Sequence, residues 1–103
     1  MRAFHAAVDG AGTDRAILII TGDVDMMTVP IFEAAARDAI QGQPGAPLRL
    51  DLRGVGFIDS SGINSLVRMR DLAQEQGGSL ELTASSRYVE RVLTLVGLSD
   101  LFV

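Results

Sequence analysis

The spacing of apolar and polar residues divides the chain into short, alternating elements. Phe4 to Val8 reads as a strand and Asp9-Gly-Ala-Gly-Thr-Asp14 as a turn, so Arg15 to Thr21 is expected to return as its hairpin partner. The heart of that second strand, Ala16-Ile-Leu-Ile-Ile20, is an unbroken apolar run, which predicts a central strand covered on both faces. A turn is expected at Gly22-Asp23-Val24-Asp25. Thr28 is placed to cap a helix, Pro30 sits close to its first position, and Phe32, Ala35, Ala36, Ala39 and Ile40 make a stripe at helical spacing that ends near Gln41. A breaker-rich loop from Gln41 to Pro47 leads to a strand at Leu48 to Leu52.

A second helix is predicted from about Ser61 to Gln76, with Leu66, Met69 and Ala73 on one side, Ile63 and Val67 flanking them, and Gly77-Gly78 as its stop. Ser79 to Thr83 reads as a strand. Ser85 or Ser86 then caps a last helix carrying Val89, Val92, Leu93 and Val96, which Gly97 ends. The order strand, strand, helix, strand, helix, strand, helix predicts a mixed, mostly parallel sheet of four or five strands with right-handed crossovers and helices packed on it, an α/β fold.

Composition narrows what such a fold can do. With 103 residues, 48% of them apolar, the chain is expected to form one domain over 1–103 without staples. Cysteine is absent, which removes disulfides and thiolate metal sites and suits a reducing compartment. The net charge is −4, and every basic residue is an arginine, scattered from Arg2 to Arg91 with no stripe to follow a phosphate backbone, so no nucleic-acid partner is expected. The apolar start, Met1 to Val8, is too short for a signal peptide, and no other run approaches a membrane span, so the expected location is the cytoplasm with no membrane contact.

Candidate chemistry concentrates in Gly54-Val-Gly-Phe-Ile-Asp-Ser-Ser-Gly-Ile63, which follows an apolar strand and opens an amphipathic helix. Ser60 therefore stands at a helix mouth, where unpaired N–H groups and the positive end of the helix dipole stabilise an added phosphate. On this reading Ser60 is a phosphoacceptor, Asp59 holds the turn, and Gly62 leaves a gap for an approaching kinase. The same Asp-Ser-Ser-Gly is also what any strand-to-helix turn selects. Gly54-Val55-Gly56 lacks a third glycine and reads as a flexible loop, not a dinucleotide fingerprint.

Asp23-Val24-Asp25 with Thr28 superficially resembles the Asp-x-Asp opening of haloacid-dehalogenase-type phosphatases, with Asp23 as the acid that would act through magnesium. The threonine is out of place by one residue, and a chain without lysine lacks the usual phosphate-binding cation. The plainer reading is that at least one of these acids caps the following helix. No Gly-x-Ser-x-Gly elbow is present, and the lone His5 in a terminal strand reads as structural or solvent-facing. Met26-Met27 reads as the edge of the core in preference to an adaptable contact surface.

Two segments, Ile20-Thr-Gly-Asp-Val-Asp-Met-Met-Thr28 and Leu50-Asp-Leu-Arg-Gly-Val-Gly-Phe-Ile-Asp-Ser-Ser-Gly62, together resemble a STAS domain of the bacterial anti-sigma factor antagonist type, and Gly77-Gly78-Ser-Leu-Glu-Leu82 and Val96-Gly-Leu-Ser-Asp-Leu-Phe102 extend the resemblance over nearly the whole chain. It implies a partner-switching protein whose unphosphorylated form binds an anti-sigma factor that is also a serine kinase, and so frees a sigma factor. Ser60 matches the family's phosphorylated serine, Asp25 the acid beside it in a Gly-x-x-Asp segment, and Asp59 the residue before it. Asp23, Thr28, Ser61 and Gly62 make up the surroundings of that site. The kinase brings Mg-ATP and a separate phosphatase reverses the reaction, so the chain itself needs no cofactor or metal and is substrate and ligand, not catalyst. The chain ends soon after the segment where many relatives add a strand or helix, which implies a shortened C-terminal edge. The alternative is an unmodified scaffold or accessory subunit, as in stressosomes, transporters and lipid-transport complexes that share the fold.

Overall fold

The computed structural model describes residues 3–102; Met1, Arg2 and Val103, which the expected 1–103 domain includes, lie outside the described residues. Strand β1 (His5–Asp9) pairs antiparallel with β2 (Ile17–Val24), which pairs in parallel with β3 (Pro47–Ile58), itself parallel to β4 (Ser79–Ser85). The sheet order is β1-β2-β3-β4, so the mixed, mostly parallel sheet has four strands. Helices α1 (Val29–Gly42), α2 (Ser60–Glu75) and α3 (Arg87–Leu95) follow β2, β3 and β4 in turn, and a short 3-10 turn spans Ser99–Phe102.

Alternation, not raw hydrophobicity, decides how the strands sit. Along β2 the side chains of Leu18, Ile20 and Val24 are buried, whereas Ile19 is 36% exposed and Thr21 is exposed. The expectation of a strand covered on both faces is therefore corrected: an apolar run still obeys the two-residue period of a strand, and only one face of this sheet meets the core. Leu18, Leu50 and Leu82 stand in register across β2, β3 and β4 on the core side. Phe32, Ala36 and Ile40 of α1 and Leu66, Met69 and Ala73 of α2 pack into the same cluster. From α3 only Val89 and Leu93 are fully buried; Val96, expected on that stripe, caps the helix end and is 51% exposed.

Two further expectations change for one physical reason. The predicted turn at Gly22-Asp23 is the continuation of β2, and the predicted loop at Gly54-Val55-Gly56 is the middle of β3. Between the pairs Ile19↔Asp51 and Thr21↔Gly54, and again between Gly22↔Val55 and Asp23↔Phe57, β3 carries one residue more than β2. These bulges let the strand bend without ending, and they bring the backbone at Gly54 so close to Thr21 that a Cβ there would lie 2.6 Å from Thr21 Cγ2. No helix among the described residues is long and apolar enough to cross a membrane.

Candidate functional site

The site forms where β2 and β3 end together. Val24 pairs with Ile58, and the N–H of Asp59 donates to the Val24 carbonyl at 3.2 Å, so the chain leaves both strands at one point and enters α1 and α2 side by side. Asp59 is extended, with φ −102° and ψ −173°, and caps α2: its Oδ1 accepts from the N–H of Gly62 at 3.0 Å, while its carbonyl accepts from Ile63 at 2.9 Å. Ser60 is the first residue of α2 and is exposed. The first turn of α2 contains no acidic residue, so Asp59 is the carboxylate answering the positive end of its dipole.

Gly62 is buried, and its missing side chain is used inward: a Cβ would lie 2.6 Å from Ile58 Cγ1 and 2.9 Å from both Val24 Cγ1 and the Val24 carbonyl oxygen. The gap read from the sequence as an approach for a kinase is thus occupied by β2 and β3. It is what allows α2 to start directly on the strand ends.

The plainer reading of the acidic pair is corrected, since α1 carries no side-chain cap and Asp25 instead closes the loop before it. Its Oδ1 accepts from the N–H groups of Met27 at 2.9 Å and Thr28 at 3.1 Å, and its carbonyl accepts from Thr28 and Val29. Thr28 occupies the N-cap position of α1 but its side chain turns back: Oγ1 donates to the Asp23 carbonyl at 2.8 Å and accepts from the Asp25 N–H at 2.9 Å. Asp23 is half-buried in β2, paired with Phe57. Among the described residues no three His, Asp or Glu side chains gather where a metal ion could be held. Met26 and Met27, expected at the core edge, are 73% and 80% exposed, because the tight loop closed by Asp25 and Thr28 leaves them on its outer side. Ser61, half-buried, and Asn64 share a groove with Met26, Val29 and Pro30 from the start of α1, so the two helix entries make one surface. His5 is exposed, as its place in the terminal strand suggested.

One structural cluster behind the site was not read from the sequence. Glu33 of α1 accepts from the Ser65 hydroxyl at 2.6 Å and from Arg68 Nη2 at 2.6 Å and Nε at 3.1 Å, with Arg37 at 3.3 Å from its other oxygen. Ser65 is fully buried, so this cluster ties α1 to α2 two turns behind Ser60. Its signal was the polar pair Ser65 and Arg68 placed beside an apolar stripe, a pattern also met on solvated helix faces.

Burial alone would raise the Glu33 carboxyl. The hydrogen bonds from Ser65 and Arg68 and the charges of Arg68 and Arg37 outweigh it and hold the group below its ordinary value. A carboxylate with a depressed native value adds stability that is complete above the unfolded value and is lost as pH falls through the native one. Because Arg37 and Arg68 stand half in water, screening reduces their share. Glu33→Gln is expected to destabilise the fold by about 1–3 kcal/mol at pH 7. In urea melts the gap between wild type and variant should narrow steadily from about pH 5 downward; a gap independent of pH would show that the carboxylate charge is not involved.

With this geometry in place, the similarities of the chain are informative. Residues 7–103 match the family described as Mlab, STAS domain. The chain is 30% identical over 82 residues to the anti-sigma-B factor antagonist of Bacillus subtilis (strain 168), covering 80% of this chain and 73% of that protein. It is 29% identical over 89 residues to the anti-sigma-B factor antagonist of Listeria monocytogenes, covering 86% of this chain and 77% of the relative. Among solved structures, an anti-sigma factor antagonist from Mycobacterium paratuberculosis superposes with a TM-score of 0.80 at 26% identity, over 97% of this chain and 83% of the other. The anti-sigma factor antagonist SpoIIAA in its unphosphorylated form superposes with a TM-score of 0.69 at 25% identity, over 95% of this chain and 84% of the other.

Proposed function

Because the chain belongs to the STAS domain family, we propose that it is an anti-sigma factor antagonist whose binding to an anti-sigma factor is controlled by phosphorylation at Ser60. The observation that carries this reading is local: an exposed serine stands at the first position of a sixteen-residue helix whose cap is built by Asp59 and whose seat is built by Gly62. A phosphate there meets the positive end of α2 and leaves the packing beneath it untouched, so the modification changes the surface and not the fold. In this reading the unphosphorylated protein binds an anti-sigma factor serine kinase, which supplies Mg-ATP, and so releases a sigma factor; a phosphatase acting on phospho-Ser60 resets the cycle. Asp25 and Thr28 shape the neighbouring loop, with Asp23, Ser61 and Asn64 in the contact surface. The protein acts in the cytoplasm as ligand and substrate, without catalysis of its own.

A second reading is an unmodified scaffold or accessory subunit of the same fold. It is favoured by one fact: Asp59 and Gly62 are fully accounted for by capping and packing, with no need for a modification at Ser60. Incubation with Mg-ATP and each anti-sigma kinase encoded in the source genome separates the two. One added phosphate, mapped to Ser60 by peptide mass spectrometry and absent from Ser60→Ala, is the expected result. No phosphate with any of these kinases would favour the scaffold.

A further inference from the structure

Between the start of α2 and the outer side of α3 lies a cleft of about 480 Å³. Ile58, Ile63, Val92 and Leu98 line it, and Tyr88 and Val96, 40% and 51% exposed, stand over it from α3. Phe57, 41% exposed, carries its ring 5.7 Å from that of Tyr88 and extends the apolar area outward. The remaining lining groups are Asp59, Ser60 and Asn64. The cleft is thus continuous with the Ser60 surface, its volume falls in the range of sites that accept a buried apolar group, and among the described residues no arginine lines it.

We propose that this cleft seats an apolar side chain of the anti-sigma kinase, and that Tyr88, Val92 and Val96 of α3 thereby select which kinase the protein recognises. The inference rests on the reading of Ser60 as the switch, and it supplies the physical link between phosphate and release. An apolar group entering beside a serine hydroxyl displaces water from a neutral group. Entering beside a phosphoserine, it strips water from nearly two negative charges that face Asp59 and have no cation in the cleft to pair with. The unmodified cleft admits the partner and the phosphorylated one rejects it. A cleft lined by arginines would behave in the opposite sense.

The test measures affinity for the ADP-loaded kinase by titration calorimetry, with circular dichroism melts and oligomeric mass recorded beside it. Val96→Asp is expected to weaken binding at least tenfold. Leu95→Asp, on the same helix at a position 78% exposed and outside the cleft, should bind within twofold of wild type, and both should lose the same few degrees, at most about 8 °C, because each sets a carboxylate at the negative end of α3. Tyr88→Ala offers a second variant that adds no charge, again with a loss of tenfold or more expected. If the wild type is bound and phosphorylated at Ser60 while the Val96 and Tyr88 variants bind equally well, the cleft inference is overturned and the switch stands. If no anti-sigma kinase binds or phosphorylates the wild type, both are overturned. A wild-type dimer dispersed by Val96→Asp with kinase affinity unchanged assigns the cleft to a second copy of the chain and overturns it too.

Discussion

Ser60→Asp is expected to fold and melt as the wild type does, yet to bind its anti-sigma kinase at least tenfold more weakly, with the phosphorylated protein weaker still. Two opposing effects at the start of α2 keep the fold steady. The new carboxylate gains about 0.3–1 kcal/mol from the helix dipole and loses a similar amount beside Asp59, so the melting temperature should move by no more than about 5 °C. Binding has no such balance. An unpaired charge carried into an interface costs several kcal/mol where no cation answers it, and each 1.4 kcal/mol is about tenfold in affinity. Asp carries one charge against nearly two for phosphate, which sets the order of the two losses. Ser60→Ala is the control and should bind within about threefold of wild type, because a small neutral group replaces a small neutral group. Calorimetric titration of the three proteins checks the series. An unfolded aspartate variant, or one that binds undiminished, would count against Ser60 as the switch.

How much of this was legible follows from what each pattern records. Period and punctuation marked the elements, so the order of strands and helices, the ends of α2 and α3 at Gly77-Gly78 and Gly97, and the cap at Ser86 agree with the structure. Pattern does not record pairing. The bulges that carry β3 through Gly54 and Gly56 depend on the register with β2, and glycines at such points look the same as glycines in a loop. Burial of an apolar run was overread at Ile19 for the same reason: a sequence does not say whether a second layer covers the other face. At the site, Asp59 as the residue holding the turn was legible because capping is local. The Glu33, Ser65 and Arg68 cluster and the tilted ring contact of Phe57 with Tyr88 were not, since each joins residues more than thirty positions apart. Gly62 was seen and given the wrong direction: its space opens toward the core.

That inward space makes Gly62→Ala a decisive substitution, because two rules predict opposite signs. Helix propensity alone favours alanine over glycine inside α2 by about 1 kcal/mol, so the variant would melt higher. Packing says the reverse. The added methyl lies 2.6 Å from Ile58 Cγ1, a side-chain atom that a rotamer change moves, but also 2.9 Å from the Val24 carbonyl oxygen, which is backbone and already holds the Asp59 N–H. Relief therefore requires moving the end of β2 or lifting the first turn of α2, and either change lengthens the bond that places Asp59. Overpacking of this kind costs about 1–3 kcal/mol, more than propensity returns. The expected outcome is a net loss of about 1–2 kcal/mol, a fall in melting temperature of roughly 4–15 °C, with Gly62→Val lower again. A variant that melts above wild type would show that α2 can shift freely over the strand ends. The displaced turn carries Ser60 with it, so the loss of stability should come with slower phosphorylation at Ser60, measured in buffer cold enough to keep the variant folded.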